Sequence, residues 1–375
     1  KKKENRSPDE SEIEKIAQYI ISAKRPYIYS GGGVIISEAG EEVKKLAQLI
    51  DAPMGFSMMG LSAVSSDTPY YLGMTGMHGR YASSKAKSAA DLILAIGVRF
   101  SDRATGNKEK YSPNAKIIHI DIDPAEIDKN ISAYVGVIGD IKEILTRLIQ
   151  KLTPQSHSEW LKEVEQLKEE EKTHDSEDGR FKPKTIIETI QNYTDENTMI
   201  ATDVGQHQMW TAQFYRFRKP RTFMTSGGLG TMGFGMGAAI GSSISKGGKR
   251  TVLITGDGSF GMNLNELATA VSNELPLVIV VMNNGTLGMV RQWQTLFFDK
   301  RYSSTTLNRK TDFVKIAQGF GADAFRAETT EELNNALVKA FACNTPVLID
   351  CKVNMDEFVL PMIPPGGSIE NIIVR

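Results

Sequence analysis

Apolar positions in the first half of the chain alternate between two periods. Ile13, Ile16, Ala17, Ile20 and Ile21 recur at helical spacing, and Ser11 with Glu14 has the spacing of a capping box, so a helix is predicted from about residue 11. Pro26-Tyr27-Ile28-Tyr29-Ser30 reads as a buried strand running into Gly31-Gly32-Gly33. A second helix carries Val43, Leu46, Ala47 and Ile50. Apolar runs predict strands at 92–96 and 117–122, and a closing helix runs from about Ile141 to Leu152. Strands that alternate with helices imply a mainly parallel sheet covered on both faces. Residues 11–152 therefore read as one α/β domain.

The pattern then breaks and resumes. Between Glu159 and Arg180, 13 of 22 residues are charged, which reads as a solvated helix or linker over 153–182. Beyond it, extended segments are predicted at 199–202, 222–225, 251–255, 277–282 and 347–351, with helical spacing between them. Met262, Leu264, Leu267, Ala268 and Val271 mark one such helix. Residues 183–375 form a second α/β domain, and the expected fold is two doubly wound domains. Residues 1–10 open on Lys1-Lys2-Lys3 without an initiator methionine and stay polar to Glu10. They read as an interdomain linker, so the chain is expected to be the C-terminal part of a longer protein.

Composition narrows the function. Lysine plus arginine number 44 against 45 acids, which argues against nucleic-acid binding. No apolar run approaches a membrane span. Two cysteines, Cys343 and Cys351, cannot build a disulfide framework or a four-thiolate zinc site. With no signal peptide, a cytoplasmic protein handling a small metabolite is predicted. Glycine adds a location. Of 33 glycines, 12 lie between Ser226 and Gly261, where backbone brought close to a ligand would place them.

The chemistry concentrates over 251–290. The strand Thr251-Val252-Leu253-Ile254-Thr255 delivers Gly256-Asp257-Gly258-Ser259 at its carboxyl end, where parallel sheets bind ligands. The next strand ends in Asn283-Asn284-Gly285. Either motif alone is ordinary turn punctuation. At consecutive strand ends, 27 residues apart, Asp257 and Asn284 could share one hard cation with the backbone carbonyl of Thr286. Magnesium takes such an oxygen set together with phosphate oxygens and water. The segment from Leu287 opens a helix on which Met289 and Trp293 share a face.

The runs GDGSFGMNLNELATAV and NNGTLGMVRQWQ resemble the thiamine-diphosphate motif of the acetolactate synthase catalytic (large) subunit family. The resemblance extends to the segments 203–210 and 226–233 and covers both domains. It implies magnesium at Asp257, Asn284 and Thr286. It places thiamine diphosphate on Gly205, Gln206, His207, Gly230, Met232, Gly256, Gly258, Ser259, Leu287, Gly288, Met289 and Val290. Gln206 and His207 would reach the diphosphate, and the cofactor would bend over Met232. A wall of Met232, Leu287, Met289 and Val290 would keep water out. Trp293, with Met289, would favour 2-oxobutanoate over pyruvate as second substrate. Arg291 could steer a carboxylate or face solvent.

In the first domain, Gly31, Gly32 and Gly33 alone are a weak dinucleotide signal. The segments Gly76-Met77-His78, Gly97-Val98-Arg99 with Asp102-Arg103, Asp121-Ile122 and Gly139-Asp140 resemble the FAD-binding positions of the anabolic synthases. The resemblance implies a structural flavin, since the net reaction is not redox, and the RF-x-DR run from Arg99 separates the chain from the flavin-free catabolic enzymes. The family's activating glutamate belongs to a pyrimidine-binding domain that precedes this region, so no catalytic residue is assigned here and the chain alone is expected to be inactive. What the resemblance implies is decarboxylation of pyruvate and condensation with a second 2-oxo acid, in a homodimer or tetramer with a possible small regulatory subunit. Glyoxylate carboligase, pyruvate oxidase and a catabolic acetolactate synthase are the alternatives within the thiamine enzymes.

Overall fold

The computed structural model of the chain describes residues 7–174, 181–245, 250–308 and 310–375. The chain divides into two units. The first runs to Ser176 and adds Phe217–Arg221 and Leu360–Arg375; the second comprises Glu177–Arg216 and Thr222–Val359. Among the described residues no helix is long and apolar enough to cross a membrane.

The first unit is a six-stranded parallel sheet of β1 (Pro26–Ser30), β2 (Met54–Phe56), β3 (Tyr71–Met74), β4 (Leu92–Ile96), β5 (Lys116–Asp121) and β6 (Val135–Ile138). Their order is β3-β2-β1-β4-β5-β6. Its helices are α1 (Glu10–Ser22), α2 (Gly32–Ile36), α3 (Gly40–Leu49), α4 (Tyr81–Ala89), α5 (Asp102–Thr105), α6 (Ile141–Lys151) and α7 (Ser158–His174). Every residue of β1 and β4 is buried, as a sheet covered on both faces requires. The start of α1 differs from the expected box at Ser11: the Glu12 carboxylate accepts the Asp9 backbone N–H at 2.9 Å, so Asp9 caps the helix. Ile21, 58% exposed, lies off the buried stripe formed by Ile13, Ile16, Ala17 and Ile20.

The charged stretch read as a linker is α7 over most of its length, and residues 175–180 and 1–6 lie outside those described. Its few apolar residues hold it. Trp160 and Val164 enter the core beside Tyr27, Tyr29 and Ile93, and the Trp160 indole donates to the Pro26 carbonyl at 3.0 Å. Glu171 pairs with Arg80 at 2.8 Å. The final segment pairs with the same unit, where the Ile363 N–H donates to the Met77 carbonyl at 2.8 Å and the Asn107 N–H to that of Gly367 at 2.9 Å.

The second unit has its own six-stranded parallel sheet: β7 (Met199–Thr202), β8 (Phe223–Met224), β9 (Thr251–Gly256), β10 (Leu277–Asn283), β11 (Asp323–Ala327) and β12 (Val347–Lys352), ordered β11-β12-β10-β9-β7-β8. Around it lie α8 (Pro183–Gln191), α9 (Gln206–Phe214), α10 (Phe234–Ser245), α11 (Asp257–Asn263), α12 (Leu267–Ser272), α13 (Gly288–Phe297), α14 (Phe313–Gly319) and α15 (Thr330–Ala342). Its core gathers Leu253, Phe260, Leu267, Leu277, Ile279, Val281, Phe313 and Leu348. The helix expected after Gly-Asp-Gly is two helices joined by a short turn at Leu264–Glu266. Leu267 and Ala270 carry its burial, while Met262 and Ala268 face outward. The expectation of two doubly wound parallel sheets holds.

Candidate functional site

In the second sheet the chain runs from β7 to β8 on one side and to β9 on the other. The switch point therefore lies between β7 and β9, and a ligand crevice belongs at their carboxyl ends. β10 extends that edge: Met282 sits opposite Gly256. Asp257 and the Asn283-Asn284 pair thus leave adjacent parallel strands in one direction. Asn283 turns away, donating to the Asp350 carboxylate at 2.8 Å. Asn284 is held by two bonds, donating to Gln206 Oε1 at 3.2 Å and accepting the Thr286 N–H at 3.2 Å. Asp257 is buried.

The β7 end is organised by a residue that sequence reasoning passed over. Asp203 accepts the backbone N–H groups of Val204 at 2.8 Å, Gly233 at 2.8 Å and Gly235 at 3.2 Å. It thereby ties the start of α10 to the β7 tip. Burial pushes its pKa up, against the pull of those three donors. Gly205 follows with φ +153°, and a Cβ there would lie 2.8 Å from His207 Cε1. A Cβ on Gly256 would meet His207 Nδ1 at the same 2.8 Å, so the imidazole fills the notch between the two strand tips.

His207 is a buried polar group at this edge that the protein leaves unfinished. It is 5% exposed, its ring bonds the Asp203 backbone, and Nε2 has no partner. Burial pushes its pKa down to about 3, so the ring is neutral near pH 7. Gln206, also expected to reach a diphosphate, is engaged elsewhere. Its Nε2 donates to Gln292 Oε1 at 3.1 Å and to the Glu357 carbonyl at 2.8 Å, while Oε1 takes Asn284. Gln292 in turn brackets the Val359 backbone. Gln206 and Gln292 therefore stitch α9 to α13, a role with no sequence signature.

Above Gly258 stands an apolar wall. A Cβ there would meet Leu287 Cδ2 at 2.8 Å, Leu307 Cδ1 at 3.6 Å and Met232 Cε at 3.7 Å. Leu307 comes from a segment that pairs with the loop after β10, through Leu307 N–H to the Gly285 carbonyl at 2.8 Å and Leu287 N–H to that of Thr305 at 2.8 Å. Sequence reasoning missed it. Val290, expected in the wall, is 50% exposed, and Gly230 lies on an exposed loop beside Leu229. Met289 and Trp293 are half-buried on α13, the indole edge-on to Phe297 at 5.8 Å. Arg291 neither faces solvent nor reaches outward: it pairs with Asp356 at 2.8 Å and stacks on Tyr302 at 4.0 Å.

In the first sheet the switch point lies between β1 and β4, and the glycines expected for a flavin meet there. The Gly31 N–H donates to Ile96 at 2.9 Å and that of Gly33 to Gly97 at 3.2 Å. Gly97 has φ +60°, and a Cβ on it would fall 2.7 Å from Gly33 Cα, so only glycine permits this approach. Val98 is buried in the core, whereas Arg99 is exposed. The loop of Gly76, Met77 and His78 joins the Asp102-Arg103 segment through the Met77 N–H to the Arg103 carbonyl, 2.8 Å. Asp121, at the β5 tip, is buried with its pKa pushed up by desolvation, and accepts the Asp123 N–H at 2.9 Å. Ile122 is exposed beside it. The Gly139 N–H donates to Asp121, and Asp140 spends its carboxylate capping α6 at Glu143, 3.0 Å.

Both switch points are thus furnished, one with glycines and a strand-end acid, the other with an acid, an amide and an orphan imidazole. That is the architecture of an enzyme holding a diphosphate-bearing cofactor. Two family profiles agree: the thiamine pyrophosphate enzyme central domain matches residues 13–148, and the thiamine pyrophosphate enzyme C-terminal TPP-binding domain matches 203–351. The chain belongs to the thiamine pyrophosphate enzymes. It is 43% identical to a probable acetolactate synthase large subunit of Methanocaldococcus jannaschii, over 96% of this chain and 63% of that one. It is 42% identical to the Methanococcus aeolicus counterpart over the same shares, 96% and 63%. With the acetolactate synthase isozyme 3 large subunit of Escherichia coli it shares 37% identity, over 96% and 65%. The chain spans about 63% of the length of the first two of these relatives.

Proposed function

We propose that the protein carrying this chain is the catalytic subunit of an acetolactate synthase. It decarboxylates pyruvate and joins the two-carbon unit to a second pyruvate or to 2-oxobutanoate, toward branched-chain amino acids. The observation that carries the reading is the β9–β10 edge, where Asp257 and Asn284 leave neighbouring strand ends beside the unpartnered His207 nitrogen. Among the described residues no three His, Cys, Asp or Glu side chains cluster for a metal. A magnesium ion here would be held by the Asp257 carboxylate, the Asn284 amide oxygen and the Thr286 carbonyl, with phosphate oxygens completing the set, which suits its chemistry. Thiamine diphosphate, when bound, supplies the electron sink that lets a 2-oxo acid lose carbon dioxide.

The chain's residues bind, orient and shield. Asn284 Oδ1 keeps a second lone pair for the ion while accepting the Thr286 N–H. The His207 ring donates from its other nitrogen to the Asp203 carbonyl, so Nε2 takes up a proton to donate to the diphosphate. Met232, Leu287 and Leu307 keep water from the ground above Gly258. Trp293 and Met289 select the second substrate. FAD, in a structural role, would be held at the β1–β4 crevice by glycine backbone, and Asp121 would take ribose hydroxyls. The relatives' designation as large subunits supports a smaller regulatory partner and a homodimeric or tetrameric assembly.

The test is a product assay of the native protein on pyruvate with thiamine diphosphate, magnesium and FAD. Acetolactate is expected. Acetyl phosphate, or tartronate semialdehyde from glyoxylate, would overturn the assignment in favour of an oxidase or a glyoxylate carboligase.

A further inference from the structure

In the first unit, α4 carries a lysine into the interior. Lys87 is 7% exposed, and its Nζ lies 4.4 Å from the Tyr111 ring centroid and 5.6 Å from that of Tyr29. Its one hydrogen bond to protein is long, 3.4 Å to the Ala104 carbonyl, and among the described residues no carboxylate pairs with it. Desolvation pushes its pKa down to about 7. An ammonium has three donors, and ring faces compensate only part of its lost hydration.

Lys87 lines a small cavity with Ser84, Thr105, Tyr111, Arg103 and Lys110, closed on one side by the C-terminal segment 363–369. The hydroxyls of Ser84 and Tyr111 are buried and have no partner. Two orphan hydroxyls beside an unpaired lysine in one cavity form a built set of donors that the protein does not use. None of the lining residues is acidic. Lys110 meets Glu370 at 3.5 Å with both side chains largely exposed, where pairing stabilises little. Alongside the donors, Ala104, Ile363 and Ile369 give the wall an apolar portion. Gly76, Met77 and Arg103 of the flavin positions also line the cavity, but the gripping residues Ser84, Lys87 and Tyr111 lie outside them, so this inference does not rest on the acetolactate reading.

We propose that this cavity is a binding site for a short monocarboxylate anion. Lys87, Ser84 and Tyr111 grip its carboxylate, Lys110 attracts it at the mouth, and the apolar wall receives its alkyl end. A carboxylate matches the donor set because it only accepts, with two oxygens to share among an ammonium and two hydroxyls.

The full chain is titrated with acetate, with and without added FAD, while its methyl and lysine resonances are followed by NMR. Inorganic phosphate is the comparison probe. Acetate is expected to give saturable shifts at Lys87 and to slow its acylation by an amine-directed reagent, since an ion-paired ammonium is a poorer nucleophile. Tyr111→Phe should weaken acetate about tenfold and Lys87→Met should abolish binding. If Lys87→Met fails to fold, Tyr111→Phe with Ser84→Ala carries the comparison. The proposal is overturned if acetate produces no saturable shift, if the variants bind it as the native chain does, or if FAD displaces it. Tighter binding of phosphate at the same residues would overturn the carboxylate class.

Discussion

Lowering the pH should attack the second unit at His207. In the folded chain this ring has a pKa of about 3, against an ordinary value of 6.5. Below 6.5 the unfolded chain takes up a proton that the folded one refuses. The stability His207 contributes is therefore complete above pH 6.5 and is lost as the pH falls toward 3. At 1.36 kcal/mol per unit, about 2 kcal/mol goes between pH 6.5 and 5, with an upper bound of about 5 kcal/mol once both states are protonated. Urea denaturation at pH 7.5 and 5 measures the loss. A Trp160→Phe background leaves the other two of the chain's three tryptophans, Trp210 and Trp293, both in the second unit, to report it. His207→Gln should remove most of the difference. Among the five histidines, the C2 proton of His207 should show no titration between pH 5 and 8. A bound diphosphate changes the sign of the environment. One anionic charge at roughly 4 Å and an effective dielectric of 20 favours the imidazolium by about 4 kcal/mol, near three pKa units. Calorimetry of thiamine diphosphate binding in buffers of different ionisation enthalpy should then reveal proton uptake that His207→Gln lacks. A ligand-free His207 that titrates near 6.5, or equal pH dependence in native and variant chains, would refute the reasoning.

Three further outcomes are expected. Asp257→Ala should abolish the magnesium dependence of thiamine diphosphate binding in calorimetry while leaving the melting temperature near native, because the carboxylate sits at a strand end; unchanged heats would remove Asp257 from the ion. Gly97→Ala combines a left-handed backbone with a contact on Gly33 and should cost about 2–4 kcal/mol in the first unit, with loss of any flavin absorbance from the purified protein. Trp293→Leu should shift the preference between 2-oxobutanoate and pyruvate by about 1–3 kcal/mol, about fivefold or more, read from competing product ratios; an unchanged ratio would return Trp293 to a packing role against Phe297.

What the chain disclosed in advance followed from how local each signal is. β1, β4, β7, β9, β10 and β12 are continuous apolar runs, and the structure places strands within a residue or so of each. β2, β3 and β6 are short, and β11 is only partly buried, so none rises above its surroundings. Thirteen charges in 22 positions mask how firmly two apolar side chains, Trp160 and Val164, dock α7. Asp203 was visible as a residue but not as a brace. Its partners at Gly233 and Gly235 lie 30 and 32 positions away, and no periodicity encodes a backbone accepted across that distance. Leu307 and the 357–359 backbone reach the site through returning loops, for which spacing gives no rule.

The β9–β10 motif was legible for a topological reason. A parallel sheet sends every strand in one direction, so all its carboxyl ends share an edge, and a crossover helix of ordinary length returns the chain to the neighbouring position. Two polar clusters, each closing an apolar run and separated by one helix, are therefore brought together whatever the helix contains. The 27-residue step from Asp257 to Asn284 holds α11, a turn, α12 and β10, enough for one such crossover. No comparable rule links β7 to β9, because β8 and α10 intervene and the switch point depends on which side the next strand joins. His207 could be named a ligand only by resemblance. Its character as a neutral imidazole wedged between two glycines, with one nitrogen spare, belongs to the tertiary structure, and so the test that most sharply separates a cofactor site from a packed core is applied at that residue.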